Sequence, residues 1–307
     1  MTHPIPPPNL TGEQLQGLLK LTSESDSVEL KPTVPDNAYA STANALGMDP
    51  LEAQIRQVFF FDTPELTLNH AGLVVRARRT QGANDDSTVK LRPVDPSNLP
   101  KKLRESLHFG VEVDAMPGGY VCSGSMKAEI GKRSVHDVVF DGKPIHKLFN
   151  KEQRAFYEDH APDGLALDDL VVLGPVNVLK LKFLPKGSKT PLVAEVWLFP
   201  NNTSVLELST KCPPKQALAL ATELRSFLAT KSVPLDGEQQ TKTKTALELF
   251  SAKAIPIDYI VSPERLVAIF IFHLIEQPGC LQILDFLDGR AQLVAVRAQL
   301  CRPMVGH

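Results

Sequence analysis

Arg76 and Arg78 stand two residues apart in Leu73-Val74-Val75-Arg76-Ala77-Arg78, where apolar and charged residues alternate. In an extended strand residues i and i+2 point to the same side, so this strand puts two guanidinium groups on one face. The pattern recurs along the chain. Ser27, Glu29 and Lys31 alternate with Val28 and Leu30, and Lys90 and Arg92 follow Thr88. Glu112 and Asp114 alternate with Val111 and Val113, and Lys180 and Lys182 with Leu179, Leu181 and Phe183. Glu195 stands in Val193-Ala194-Glu195-Val196-Trp197, and Glu207, Ser209 and Lys211 share a face. One such strand is ordinary, because a half-buried antiparallel sheet has a solvated side. Repeated doublets of like charge constrain more, since like charges on one face repel and solvated sheets usually mix signs. The conflict is relieved if the sheet closes with its charged faces inward and its Val, Leu and Phe faces outward under helices. The pattern therefore predicts an α+β chain built on a barrel with a charged bore.

Such a bore carries the cations Lys31, Arg76, Arg78, Lys90, Arg92, Lys180, Lys182 and Lys211, with the carboxylates Glu29, Glu112, Asp114, Glu195 and Glu207 among them. The cations suit a polyanion, and hard carboxylates suit Mg²⁺ or Mn²⁺, which bridge phosphate oxygens. A small molecule bearing a triphosphate matches both halves. The formal net charge of −2 gives no strong nucleic-acid or membrane signal, so an anion site must come from local clustering. Cys122, Cys212, Cys280 and Cys301 are widely spaced and read as reduced thiols. The opening Met1-Thr2-His3-Pro4 leads into prolines without an apolar core, and the apolar run 266–275 is too short to span a bilayer. A cytoplasmic protein is expected.

Three regions are predicted: a lead with a short helix over 1–26, the tunnel domain over 27–252, and an apolar helical appendage over 253–307. Within the tunnel domain a short helix is expected over 50–57, a hairpin loop over 82–86, a helical insert over 121–170, and helices over 214–230 and 239–252. Leu218, Leu220, Leu224 and Leu228 are the expected core of the 214–230 helix. The run 266–275 reads as a packed helix, with a homodimer surface as the alternative. Cys122-Ser123-Gly124-Ser125 reads as a flexible loop.

These residues resemble the CYTH superfamily, also called triphosphate tunnel metalloenzymes, over about residues 27–250. The likeness rests on Glu29-x-Lys31, on Phe61-Asp62-Thr63-Pro64 leading to Arg76-x-Arg78, and on Thr88-x-Lys90. It continues through Lys180-x-Lys182, Glu207-x-Ser209-x-Lys211 and Thr243-Lys244. The resemblance implies an eight-stranded antiparallel tunnel, dependence on Mg²⁺ or Mn²⁺, and chemistry on triphosphates. Ser27 and Ser209 stand where that family has glutamates, and Trp197 stands near a position where it has an acid.

The roles implied are a phosphate clamp of Arg76, Arg78, Lys90, Arg92, Lys180, Lys182 and Lys211, and a metal site of Glu29, Glu195 and Glu207. Lys31 with Glu112 or Asp114 would orient the attacking water. Three activities share this bore: hydrolysis of a triphosphate, polyphosphate or nucleotide binding without turnover, and adenylyl cyclase chemistry of the class IV type.

Overall fold

The computed structural model describes residues 20–117, 119–235 and 242–252, and the backbone of 281–287 and 290–296. β1 (Ser27–Leu30) and β2 (Thr33–Val34) pair with one partner strand in a single register, so they are one strand interrupted at Lys31-Pro32. α1 (Tyr39–Leu46) leads to the hairpin of β3 (Gln54–Asp62) and β4 (Leu73–Thr80), which encloses α2 (Thr67–His70). β5 (Asp85–Leu91) follows, then α3 (Lys101–Arg104) and the hairpin of β6 (Phe109–Met116) and β7 (Gly119–Ile130). α4 (Ser134–Val139) and α5 (Lys151–Glu158) lie in the connection to β8 (Val171–Phe183), β9 (Leu192–Leu198) and β10 (Ser204–Cys212). α6 (Ala217–Thr230) and α7 (Lys242–Ala252) come last.

The strands run in the order β1-β6-β7-β5-β4-β3-β8-β9-β10, and β10 returns to β1 to close the ring. The charged, helix-covered tunnel of an α+β chain is thus present. Its strand count differs from expectation. Nine strands make the ring, and β1 pairs with β6 in parallel while the other neighbours are antiparallel. The extra strand is β7, in the segment expected to begin the helical insert. Its Cys122-Ser123-Gly124-Ser125 run is strand rather than flexible loop, and its small residues hide the period-2 signal. Gly124 is required there, because a Cβ would meet the Phe109 ring at 2.7 Å.

Alternation explains the outer layers. Val28, Leu30, Val111, Val113, Leu179, Leu181, Leu206 and Leu208 point outward and pack with Leu46 of α1 and with Leu224 and Leu228 of α6. Phe59, Phe61, Val75, Ala77 and Val89 pack with Val135 and Val138 of α4 and Phe156 and Tyr157 of α5. Each Val, Leu or Phe among them contributes roughly 2 kcal/mol on leaving water. Leu218, expected in the core, is 82% exposed, because α6 turns its Leu224 and Leu228 stripe to the barrel.

Two further differences are local. Over 50–57 only Pro50–Glu52 is helical, a single 3-10 turn capped by the Asp49 carboxylate on the Leu51 N–H at 2.9 Å. Ile55 already belongs to β3, and Leu51 is exposed, so their helical spacing carries no packing. In the tail, where helix was expected, β11 (Leu281–Leu287) and β12 (Arg290–Val296) form an antiparallel pair. Asp288-Gly289 separates the paired Leu287 and Arg290, and Asp-Gly is a strong two-residue hairpin signal. The expected 266–275 helix and its dimer surface lie outside the described residues, as do Cys280 and Cys301.

Candidate active site in the barrel bore

The Phe-Asp-Thr-Pro motif builds the wall rather than the chemistry. Asp62, at the end of β3, is buried. Its Oδ1 accepts from the N–H groups of Thr63 and Leu68 at 2.8 Å, and its Oδ2 from that of Asn69 at 2.9 Å. Burial raises the Asp62 carboxyl above the ordinary range, against the pull of these donors. This knot satisfies the exposed N–H groups of α2 and returns the chain as β4. Gly72 follows, at φ +77°. Its carbonyl accepts from the Arg92 N–H at 2.8 Å, and a Cβ there would meet the Arg92 carbonyl at 2.5 Å. The turn thus brings Arg92 beside the arginines of β4.

Cross-strand register fixes which residues share the bore. Phe60 lies opposite Arg76, Val58 opposite Arg78, Val74 opposite Lys90 and Arg76 opposite Thr88. Lys180 lies opposite Glu195, Glu195 opposite Glu207, Glu29 opposite both Lys211 and Asp114, and Ser27 opposite Glu112. The charged faces listed from the sequence are brought onto one inner surface.

On the β4–β5 side the cations are underpaired. The Nε atoms of Arg76 and Arg92 are shut from solvent and have no hydrogen-bond partner among the described residues. Burial, and then Arg78, lowers the Arg76 guanidinium to about 10. Lys90 is pushed down to about 7 by burial, against the pull of Asp114 and with further lowering from Arg92, Lys31 and Arg76. Arg78 differs, since its Nε and Nη2 meet the Asp86 carboxylate at 2.9–3.0 Å.

The carboxylates are paired, and in two groups. Glu29, Glu112 and Asp114 bring one oxygen each within 4.8 Å of one another. The Lys31 Nζ is 2.9 Å from Glu29 and 2.8 Å from Asp114, the Lys90 Nζ is 3.5 Å from Asp114, and Lys211 meets Glu112. Burial would raise the Asp114 carboxyl, but Lys90 and Lys31 hold it well below the usual range. Lys31 is itself raised: burial opposes its charge, and Asp114, Glu29, Glu207 and Glu112 outweigh burial.

In the second group Glu195 lies 2.8 Å from the Lys180 Nζ and 3.2 Å from that of Lys242, and it accepts from the Trp197 Nε1–H at 3.2 Å. Lys242 also reaches Glu207 at 2.5 Å and lies 5.0 Å from the Trp197 ring centre. Burial would raise Glu195, yet Lys242 and Lys180 hold it well below the ordinary range.

Lys242 carries no strand signal in the sequence, whereas Lys244 of the Thr243-Lys244 motif is exposed and pairs with Glu248 at 3.8 Å on its own helix. Arg56, Asp86 and Lys127, absent from the expected bore residues, share the inner face through the pairs Arg56–Thr80, Arg78–Asp86 and Thr88–Lys127. Period-2 alternation with Arg78 and Thr88 could have found them. Lys242 opens a helix, where strand alternation gives no signal. Lys182 is exposed on the Lys180 face, and Lys211 is half-exposed, which marks one mouth of the bore.

The other end is filled. The inward Val58, Phe60, Val74, Val176, Val178 and Trp197 pack with Ala246, Leu247 and Phe250 of α7, so this helix stoppers the barrel. Cys122 is buried and free, with its thiol pushed up to about 11 by burial, and it takes no part in the bore chemistry.

Oxygen donors suit a hard divalent ion, and the Glu29–Glu112–Asp114 cluster offers it three carboxylates, with the Lys31 ammonium bridging two of them. The expected ligand set of Glu29, Glu195 and Glu207 is not gathered as one such group among the described residues, since the last two converge on Lys242.

No protein-family model matches the chain. Over 59 residues, 19% of this chain, it is 52% identical to the Trk system potassium uptake protein TrkA of Halomonas elongata, and it covers 13% of that protein's length. Among solved structures it is similar to an adenylyl cyclase candidate from Hippeastrum described as having a dominant triphosphatase activity. That match has a TM-score of 0.55 and 17% identity, covering 74% of this chain and 97% of the other. A candidate adenylate cyclase from Bacillus halodurans matches with a TM-score of 0.50 and 12% identity, over 72% of this chain and 97% of that one. No helix among the described residues is long and apolar enough to cross a membrane. Closed ring, inward charge and these neighbours agree: the chain has the tunnel fold of the CYTH type.

Proposed function

We propose that the bore binds a small molecule bearing a triphosphate and hydrolyses its terminal phosphoanhydride bond with the help of Mg²⁺ or Mn²⁺. The observation that carries this reading is the pair of solvent-shut, unpartnered guanidinium nitrogens on Arg76 and Arg92, beside Lys90, on a wall of a bore that also holds three convergent carboxylates. Buried donors without acceptors are costly, and a phosphate chain supplies acceptors of the right charge.

Arg76, Arg92 and Lys90 would grip the inner phosphates, with Arg78, Lys180, Lys182 and Lys211 towards the mouth. Glu29, Glu112 and Asp114 would hold the ion, which when bound polarises the terminal phosphoryl group. Lys31 fixes Glu29 and Asp114 in place and, with the Glu112 carboxylate, orients the attacking water. Asp114, held ionised by its lysines, serves by charge and position rather than by giving up a proton. That suits phosphoryl transfer, where positioning and electrostatics supply most of the catalysis.

The test is phosphate release from tripolyphosphate and from ATP with Mg²⁺ or Mn²⁺, with Arg76→Ala expected to lose about a hundredfold. No release from any triphosphate with either metal would sink the hydrolase reading. A second reading, capture without turnover, is favoured by the lysine already seated on each bore carboxylate and by Ser27 and Ser209 in place of acids. Tight tripolyphosphate binding in chelator without release would select it. Cyclic AMP as the product from ATP would select the cyclase instead.

A further inference from the structure

We propose that Lys242 is a resident counter-cation for Glu195 and Glu207, which closes this pair against a divalent ion and confines any ion to the Glu29–Glu112–Asp114 cluster. The inference deepens the reading above by removing two expected metal ligands and giving them an ammonium partner from the stopper helix.

Three observations carry it. First, the geometry is complete: Lys242 is bonded to both carboxylates, while Lys180 and the Trp197 indole take the remaining Glu195 contacts. Second, the two groups differ in access to solvent. Glu195 and Glu207 meet only the shielded Lys180 and Lys242, 18% and 12% exposed, whereas the Glu112 partner in the other cluster, Lys211, is 52% exposed. Third, Lys242 cannot swing aside as a surface lysine can. It is 12% exposed, lies 5.0 Å from the Trp197 ring centre, and opens the helix whose Ala246, Leu247 and Phe250 are buried in the barrel end. An incoming ion would have to expel a desolvated ammonium held by two carboxylates and an aromatic face, which is costly. Lys211 can retreat to solvent, which frees Glu112 beside the Glu29 and Asp114 carboxylates that Lys31 bridges.

Trp197, the chain's sole tryptophan, sits on the pair and reports on it. The experiment counts Mn²⁺ bound per chain and follows Tb³⁺ luminescence sensitised by Trp197, with Trp197→Phe as the blank. Lys242→Met is expected to bind one more ion than the wild type, with Tb³⁺ bound at least tenfold tighter at the tryptophan. Lys242→Arg, which keeps the cation, should match the wild type, and Glu207→Gln in the wild-type chain should leave the ion count unchanged. A folded Lys242→Met chain with no added ion, or a wild-type chain that loses an ion on Glu207→Gln, would overturn the proposal. If Lys242→Met does not fold, Lys242→Met/Glu207→Gln removes cation and carboxylate together and should restore folding; failure to do so also overturns it. None of these readouts uses substrate, so a failed phosphate-release assay leaves them intact.

Discussion

The β4–β5 wall and the walls opposite it carry opposite kinds of incompleteness. On the first, the Nε donors of Arg76 and Arg92 are buried and unsatisfied among the described residues. On the others, Glu29, Glu112, Asp114, Glu195 and Glu207 are all already met by lysines. A bore that was merely a polar core would have paired both sets with each other. The imbalance supports the anion site proposed above, because the bore's acids meet lysines while the Nε atoms of Arg76 and Arg92 do not meet an acceptor among the described residues.

The contrast can be broken most forcefully from the acidic side. Asp114→Asn leaves Lys90 without its carboxylate and Lys31 with Glu29 alone, and should cost about 3 kcal/mol in chemical unfolding at neutral pH. A carboxyl held low in the folded state contributes its stability above the unfolded pKa and loses it as pH falls towards the folded one. The gap between wild type and variant should therefore shrink in acid. Equal stability of the two at pH 7 would mean that the acidic pairing is idle.

A smaller effect sharpens the basic side. Burial pushes Lys90 down to about 7, and a bound polyanion favours its charged form, so binding should take up a proton once the pH exceeds about 7. Tripolyphosphate affinity should fall by roughly tenfold between pH 7 and pH 8.5 in the wild type, beyond what Lys90→Arg shows. Comparing the two by titration calorimetry cancels the ligand's own ionisation, and parallel pH profiles would refute the role given to Lys90. The smallest effect concerns the lysine that the sequence favoured. Lys244→Ala breaks an exposed pair on one helix and should change stability by less than about 0.5 kcal/mol, with tripolyphosphate affinity unmoved.

How much was legible in the sequence follows from which signals are local. Period-2 alternation revealed β1, β4, β5, β6, β8, β9 and β10 and put their charges on one surface, because facing is a property of a strand alone. β7 escaped because Ser, Gly and Ser blur the alternation, although its Phe109 contact and its ladder with β5 make it indispensable. Asp62 looked like part of a chemical motif, yet its carboxylate is spent on three backbone N–H groups. The pairing of Glu195 and Glu207 with Lys242 depends on a helix threading into a barrel end. That is a long-range event, and no spacing within 27–252 encodes it in a readable form.

The stopper formed by α7 gives the bore a direction. A pore with two mouths can pass a chain through, whereas a cul-de-sac makes every occupant leave by the way it entered. If a triphosphate is cut inside, the piece nearer the mouth departs first, and the deeper piece holds the site until it has gone. Release would then be sequential, and free phosphate added to the solution would compete for the outermost position before any other.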